Sequence, residues 1–286
     1  MAKSLGIKSK ISSVKNIQKI TRAMQMVSAS KMRKVQDRMQ ASRAYAEKIL
    51  DVVHHLAAAH PEYRHSYMQV REVKRIGYIV VTTDRGLCGA LNLNVLKTTV
   101  TQLHEWSQKN VEQDLCVIGN KADTFFRRIG SNIVAKAKCL EEQANIKDLI
   151  GIVKVMLDAY DEGRIDALYL SHSNFINTMT QQPSILQLLP ITAKHDEKTH
   201  YWDYIYEPDA KTLLNRFLAR YIEMQVYQGV VDNLACEQSA RMIAMLNATE
   251  NAGKMIDELR LSYNKERQAA ITREINEIVG GAEAIQ

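Results

Sequence analysis

After Pro208 the chain runs 78 residues to Gln286 without another proline, and that stretch constrains the fold more than any other feature. Leu214, Phe217, Tyr221, Met224, Val231, Leu234, Met242 and Met245 fall at helical spacing, and Leu259, Tyr263, Ile271, Ile275 and Ile278 continue the line. Steps of three and four describe a narrow coiled-coil stripe rather than the broad face of a surface helix. Glu207-Pro208-Asp209 places proline in a first turn, with acids against the positive end of the helix dipole, and Gly280-Gly281 predicts the stop. A helix of about 70 residues is roughly 105 Å long. A helix of that length needs a partner.

Residues 4–60 are the obvious one, because they also lack proline. Ile7, Ile11, Val14, Ile17, Ile20, Met24, Val27, Met32, Val35 and Met39 recur with a mean step close to the helical period of about 3.6. They predict one long helix ending near His60. All four prolines (Pro61, Pro183, Pro190, Pro208) lie between or at the borders of these arms. Since an interior proline costs a helix about 3 kcal/mol, that placement suits two unbroken helices. Gly229 and Gly253 are weak points within the second.

The middle has a different texture. Ile76–Thr83 is a compact β-branched run, followed by the loop Asp84-Arg-Gly-Leu-Cys-Gly89 and a helical stretch to about Trp106. Leu115–Ile118, Asn132–Lys138 and Asp166–His172 predict three more strands, with helices beginning near Lys121 and spanning Leu149–Tyr160. Ser184–Leu189, between two prolines, predicts an added edge strand. Alternating strand and helix implies a mostly parallel sheet. The expected architecture is an antiparallel coiled coil of the N- and C-terminal helices (1–60 and 208–286) with a Rossmann-like α/β domain (70–205) inserted between them.

Charge is unevenly distributed. Residues 1–50 hold 12 Lys and Arg against Asp37 and Glu47, which leaves 26 bases and 30 acids for the rest of the chain. A basic arm on a slightly acidic body suits nucleic acid, anionic lipid or an acidic protein surface. Four scattered cysteines without a C-x-x-C pair argue against a disulfide framework or a zinc site. No apolar run reaches the 18 or so residues of a membrane span, and the N-terminal residues show no secretory core, so a cytosolic chain is expected.

Little catalytic chemistry is visible. Gly253-Lys254 is followed by Met255, so no P-loop is present, and Gly86-Leu-Cys-Gly89 has the wrong spacing for a dinucleotide turn. His54, His55 and His60 are not offset as metal ligands on a helix would be. Cys88 lies in a glycine-flanked loop after Arg85, a setting that can lower a thiol pKa, but no partner His or Asn is indicated. The α/β middle reads as a scaffold, without catalytic site, cofactor or metal.

Three stretches together resemble the gamma subunit of the rotary proton-translocating ATP synthase, in its proteobacterial form. Ile271-Thr-Arg-Glu-Ile-Asn-Glu-Ile-Val-Gly-Gly-Ala-Glu-Ala284 is similar to the family signature at Ile271, Thr272, Glu274, Glu277, Gly281, Ala282 and Ala284. Lys8–Lys34, with Ile20-Thr-Arg-Ala-Met-Gln-Met-Val27 and Ser30-Lys-Met-Arg33, resembles the family's N-terminal helix, and Thr83–Gly89 its characteristic loop. The resemblance implies a non-catalytic rotor shaft inside a hexamer of alpha and beta subunits, bound to epsilon and resting on the membrane ring of c subunits. It implies a peripheral location at the cytoplasmic face of the bacterial inner membrane, and no nucleic-acid partner. By resemblance, Arg267, Gln268, Thr272 and Glu274 contact beta, and Arg85, with Lys31 and Lys34 nearby, faces beta's acidic lever. Met24 and Arg241 tune coupling, and Tyr204 and Glu207 meet the c-ring loops. The tail Gly280–Ile285 and Ala269-Ala270-Ile271 suit a bearing that binds weakly at every angle. The rivals are a basic coiled-coil nucleic-acid-binding protein, for which residues 8–34 lack stacking aromatics, and an α/β enzyme with a coiled-coil dimerisation arm.

Overall fold

A computed structural model describes residues 2–59, 65–138, 146–191 and 210–283. Five helices and five strands follow in order: α1 (Ala2–Ala59), β1 (Arg75–Val81), α2 (Leu91–Gln108), β2 (Glu112–Ile118), α3 (Asn120–Ile129), β3 (Ile133–Ala137), α4 (Ile146–Asp161), β4 (Ala167–Phe175), β5 (Gln181–Leu189) and α5 (Ala210–Glu283). Each strand and helix predicted in the middle is present. The two long helices run 58 and 74 residues. The Glu207-Pro208-Asp209 start lies outside the described residues. The predicted stop at Gly280-Gly281 does not end α5, which continues to Glu283. Both glycines have open surroundings, so each costs only the helix-propensity penalty of about 1 kcal/mol.

By contacts the chain forms two units, one of residues 1–30 with 241–286 and one of residues 31–240. In the larger unit the sheet order is β3-β2-β1-β4-β5. The first four strands are parallel, and β5 returns antiparallel on β4 as an edge. Pro183 sits within β5, where an edge strand tolerates a missing ladder donor. Alternate residues of the central strands feed two cores. Ile76, Tyr78 and Val80 face α2 and α3 with Val95, Leu96, Leu103, Ala122 and Phe126. Ile79, Val81, Leu168 and Leu170 face the opposite way, toward Val153, Met156 and Tyr160 of α4, Leu218, Ile222 and Val226 of α5, and Val35 and Met39 of α1. These strands are buried on both faces, which explains their nearly unbroken apolar sequence.

The smaller unit is an antiparallel pair of helical segments. Thr21 Oγ1 and Thr249 Oγ1 lie 2.8 Å apart, and Gln18 Nε2 donates to Thr249 O at 3.4 Å. Farther toward the N-terminus Lys15 shares a groove with Ile256 and Arg260. The inward line of α1 runs through half-buried Ile7, Ile11, Val14 and Gln18 to buried Thr21 and Ser28. From α5 it is met by Met245, Ala252 and Ile256.

That line departs from the predicted one. Ile17 (50% exposed), Ile20 (59%) and Val27 (53%) point outward, while the polar residues one position along occupy the seam. Both lines have coiled-coil spacing, so α1 carries an apolar ridge on its outer face besides the face that pairs. The C-terminal part of the α5 stripe differs in the same sense. Leu259 and Tyr263 are half-buried, but Ile271, Ile275 and Ile278 are exposed.

Candidate functional site

In a doubly wound sheet, ligands bind at the carboxyl ends of the strands where the strand order reverses. Here that point lies between β1 and β4, and side chains of the same chain fill it. Cys88 and Leu91 from the β1–α2 connection and Cys236 from α5 form one buried cluster, with Phe175 and Ala240 against it. Cys236 Sγ donates to Ser173 O at 3.5 Å.

The neighbouring helix start, which could cradle a phosphate, is also satisfied from within. Asn120 N donates to Asp84 Oδ1 at 2.9 Å, Lys121 N to Thr83 O at 3.2 Å and Ala122 N to Thr82 Oγ1 at 2.9 Å. A carboxylate at this position completes the positive end of the α3 dipole as a bound anion would. Among the described residues no group of His, Cys, Asp or Glu could hold a metal ion.

Burial pushes Cys116 up to about 12 and raises Cys236 further, where burial acts together with Asp232. Thiolate is therefore negligible at neutral pH. Cys88 does have an asparagine beside it, with Asn92 Nδ2 3.3 Å from its sulfur. Asn92 acts as a brace: its Oδ1 accepts from Thr83 N at 3.0 Å and its Nδ2 donates to Thr83 Oγ1 at 2.8 Å. Thr83 Oγ1 in turn donates to Arg85 O at 2.6 Å.

These bonds fix the loop after β1, and the loop presents Arg85 and Leu87 to solvent. Leu87 is 63% exposed and has a φ of 65°, a left-handed conformation that leucine rarely adopts. Nothing in the sequence singles out Leu87, because a lone leucine carries no signal until its backbone angle and exposure are known.

The other candidates lie on the long helices. Arg267, Gln268, Thr272 and Glu274 are all exposed on α5, along the stretch where Ile271, Ile275 and Ile278 are bare. Met24 is half-buried on α1. Arg241 is buried, at 7% exposure, and is not the solvated position that a lone arginine suggests. Lys31 is half-buried and Lys34 exposed. Tyr204 and Glu207 lie outside the described residues. The structure thus gathers Arg267, Gln268, Thr272 and Glu274 on one exposed helical stretch and puts Arg85 on a braced loop.

The family model for ATP synthase matches residues 4–285. The chain is 60% identical to the ATP synthase gamma chain of Nitrosococcus oceani and 59% identical to that of Coxiella burnetii strain RSA 493, each match covering all of both proteins. This chain belongs to the ATP synthase gamma chain family. Solved structures share the fold at lower identity. A chain of the Euglena gracilis mitochondrial ATP synthase assembly of OSCP, F1 and c-ring matches at TM-score 0.69 and 18% identity, over 99% of this chain and 95% of that one. A chain of the Tetrahymena thermophila mitochondrial central stalk and c-ring matches at TM-score 0.59 and 22% identity, over 80% of this chain and 99% of that one.

Two buried polar side chains of the larger unit stand apart from these bonds. His172 on β4 is buried, and a Cβ added at Gly229 of α5 would lie 3.4 Å from its ring. Among the described residues, neither its Nδ1 nor the side-chain amide of buried Asn233, one turn beyond Gly229, has a hydrogen-bond partner. Burial holds the imidazole down at about 4, against 6.5 for the free group. Between those values the unfolded chain binds a proton that the folded chain refuses, so stability falls as the pH drops through this window. The full effect is about 3 kcal/mol. Burial raises the Asp232 carboxyl, which acts in the opposite direction. The expected result is that urea midpoints fall less between about pH 7 and about pH 4.5 in His172→Phe than in the unaltered chain. Equal falls would show that His172 is protonated without cost.

Proposed function

We propose that this chain is the central-stalk subunit that carries torque between proton flow through a membrane ring of c subunits and ATP synthesis or hydrolysis on beta subunits. It performs no bond chemistry itself. Alpha, beta, epsilon and the c ring are its partners, and it sits peripherally at the cytoplasmic face of the bacterial inner membrane. The two helical arms (1–60 and 208–286) form the shaft, and the α/β domain (70–205) is the body outside the hexamer.

The observation that carries this reading is the exposed end of α5. Over residues 271–279 four large aliphatic side chains, Ile271, Ile275, Ile278 and Val279, are between 47% and 71% exposed. A ridge of that kind suits a sleeve that covers it at all angles without gripping it, because apolar contact is non-directional. The polar groups Arg267, Gln268, Thr272 and Glu274 supply directional contacts that form at one angle and break at the next. Exposed pairs worth ~0–1 kcal/mol each suit contacts that must be released. The basic arm faces acidic partner surfaces, where charge sets orientation more than affinity.

The test is the assembled complex in inverted membrane vesicles. Replacing Arg267, Gln268 and Thr272 together by alanine should leave assembly intact and cut ATP-driven proton pumping several-fold, about 1 kcal/mol or more in the coupled step. Unchanged pumping would remove these residues from the contact. Met24→Lys should lower the protons pumped per ATP more than it lowers assembly. If the chain instead binds DNA with steep salt dependence and never joins alpha and beta, the nucleic-acid reading replaces this one.

A further inference from the structure

Within the larger unit, α1 and α5 are joined by a buried polar chain that neither the sheet core nor the exposed ridges require. Ser42 lies on the inward line of α1 with Val35 and Met39, a position where an apolar side chain would bury well. Its hydroxyl donates to Gln228 Oε1 on α5. Gln228 Nε2 donates to Asp232 Oδ1 at 2.9 Å, one turn along α5, and Arg43 Nη2 returns to the same oxygen from α1 at 3.2 Å. Ser42, Gln228 and Asp232 are each at most 9% exposed. Val230, Val231 and Leu234, packed in the surrounding core, are apolar.

Such a chain is a poor source of stability. Removing a carboxylate, an amide and a hydroxyl from water costs about what their mutual bonds return, and an apolar replacement packs at least as well. Its effect is discrimination. Turning or sliding α1 on α5 moves Val35 and Met39 onto other apolar neighbours at small cost. The same movement leaves the buried Gln228 amide and Asp232 carboxyl without their partners from α1, although Arg43, 43% exposed, can turn to water and Ser42 can still donate to Met39 O. A single polar position of this kind is enough to fix register in paired helices.

We propose that Ser42, Arg43, Gln228 and Asp232 form a pin that locks the register of α1 against α5, so that twist applied to one helix is delivered by the other. They are positioning residues for coupling and touch no reacting group. This rests on the rotor reading above.

The experiment uses the full complex in inverted membrane vesicles and the triple variant Ser42→Ala, Gln228→Leu, Asp232→Leu. Expected are an unchanged or higher melting temperature of the isolated chain, retained ATP hydrolysis, and at least a two-fold fall in protons pumped per ATP. Asp232→Asn keeps the acceptor oxygen and should stay near the unaltered ratio. Gln228→Leu alone leaves Asp232 paired with Arg43 and should give an intermediate ratio. An unaltered ratio in the triple variant overturns the proposal. So does a triple variant that fails to fold, or that melts lower in step with its lost coupling, since the network would then serve stability. If the unaltered chain supports no ATP-driven pumping, it is the rotor reading that fails.

Discussion

Gly119→Ala is expected to be the most damaging single methyl in the described chain. Gly119 is the residue between β2 and α3, and its φ of 99° is a backbone conformation that L side chains rarely adopt. A Cβ there would lie 2.2 Å from Thr82 O and 2.8 Å from Thr82 C. Both are backbone atoms of the strand-end segment beside β2, so no side chain can rotate away. Either Thr82 or the start of α3 must move, and that movement breaks the bonds from Asn120, Lys121 and Ala122 to residues 82–84. Backbone strain, a clash and lost caps together put the cost at about 4 kcal/mol or more. The loop that holds Arg85 should loosen as well. Urea unfolding with amide exchange across residues 82–92 measures both effects. Gly151→Ala is the control, because nothing lies within 4 Å of its Cβ in α4. It should be neutral or stabilise by up to about 1 kcal/mol. Equal losses in the two variants would contradict the steric account.

Gly229→Val should come second. Gly229 lies in the middle of α5, where glycine costs about 1 kcal/mol relative to alanine, so its presence needs a reason. A Cβ there would sit 2.8 Å from Leu170 Cδ2 and 3.4 Å from the His172 ring. Leu170 is fully buried in the sheet core and cannot swing aside. Valine adds two further carbons to this contact and must push α5 off β4, at a cost of about 2–4 kcal/mol. The displacement would also strain the bond from Cys236 to Ser173 and that from Ser42 to Gln228. Melting of the isolated chain reads the stability loss. Leu170→Ala introduced beside Gly229→Val should recover part of it by opening space, and failure to recover any would mean that the close approach to β4 is not what requires glycine.

These two glycines mark the limit of what the sequence shows. Gly229 reads from sequence as a weak point in a helix, and nothing in the sequence singles out Gly119. Their importance comes from Leu170 and Thr82, which are distant along the chain and adjacent only after folding. Arg241 teaches the same lesson, since a lone arginine on a long helix is ordinarily solvated but this one is buried. For Arg85, Arg267, Gln268, Thr272 and Glu274 the sequence offers a role only by resemblance, because an exposed polar side chain carries no periodic signal of its own.

By itself the sequence determined every element whose cause is local or periodic. Absence of proline and regular apolar spacing specify the two long helices, and β-branched runs with turn residues specify the strands, because these preferences act within a few residues. Only the tertiary structure decided which of two adjacent stripes on α1 is the seam. Ile17, Ile20 and Val27 are the more apolar choice, yet Gln18, Thr21 and Ser28 face α5. Spacing alone cannot separate them, since both stripes repeat at the same interval and burial depends on the surface each one meets. A helix with apolar residues on two adjacent lines cannot bury both against one partner helix.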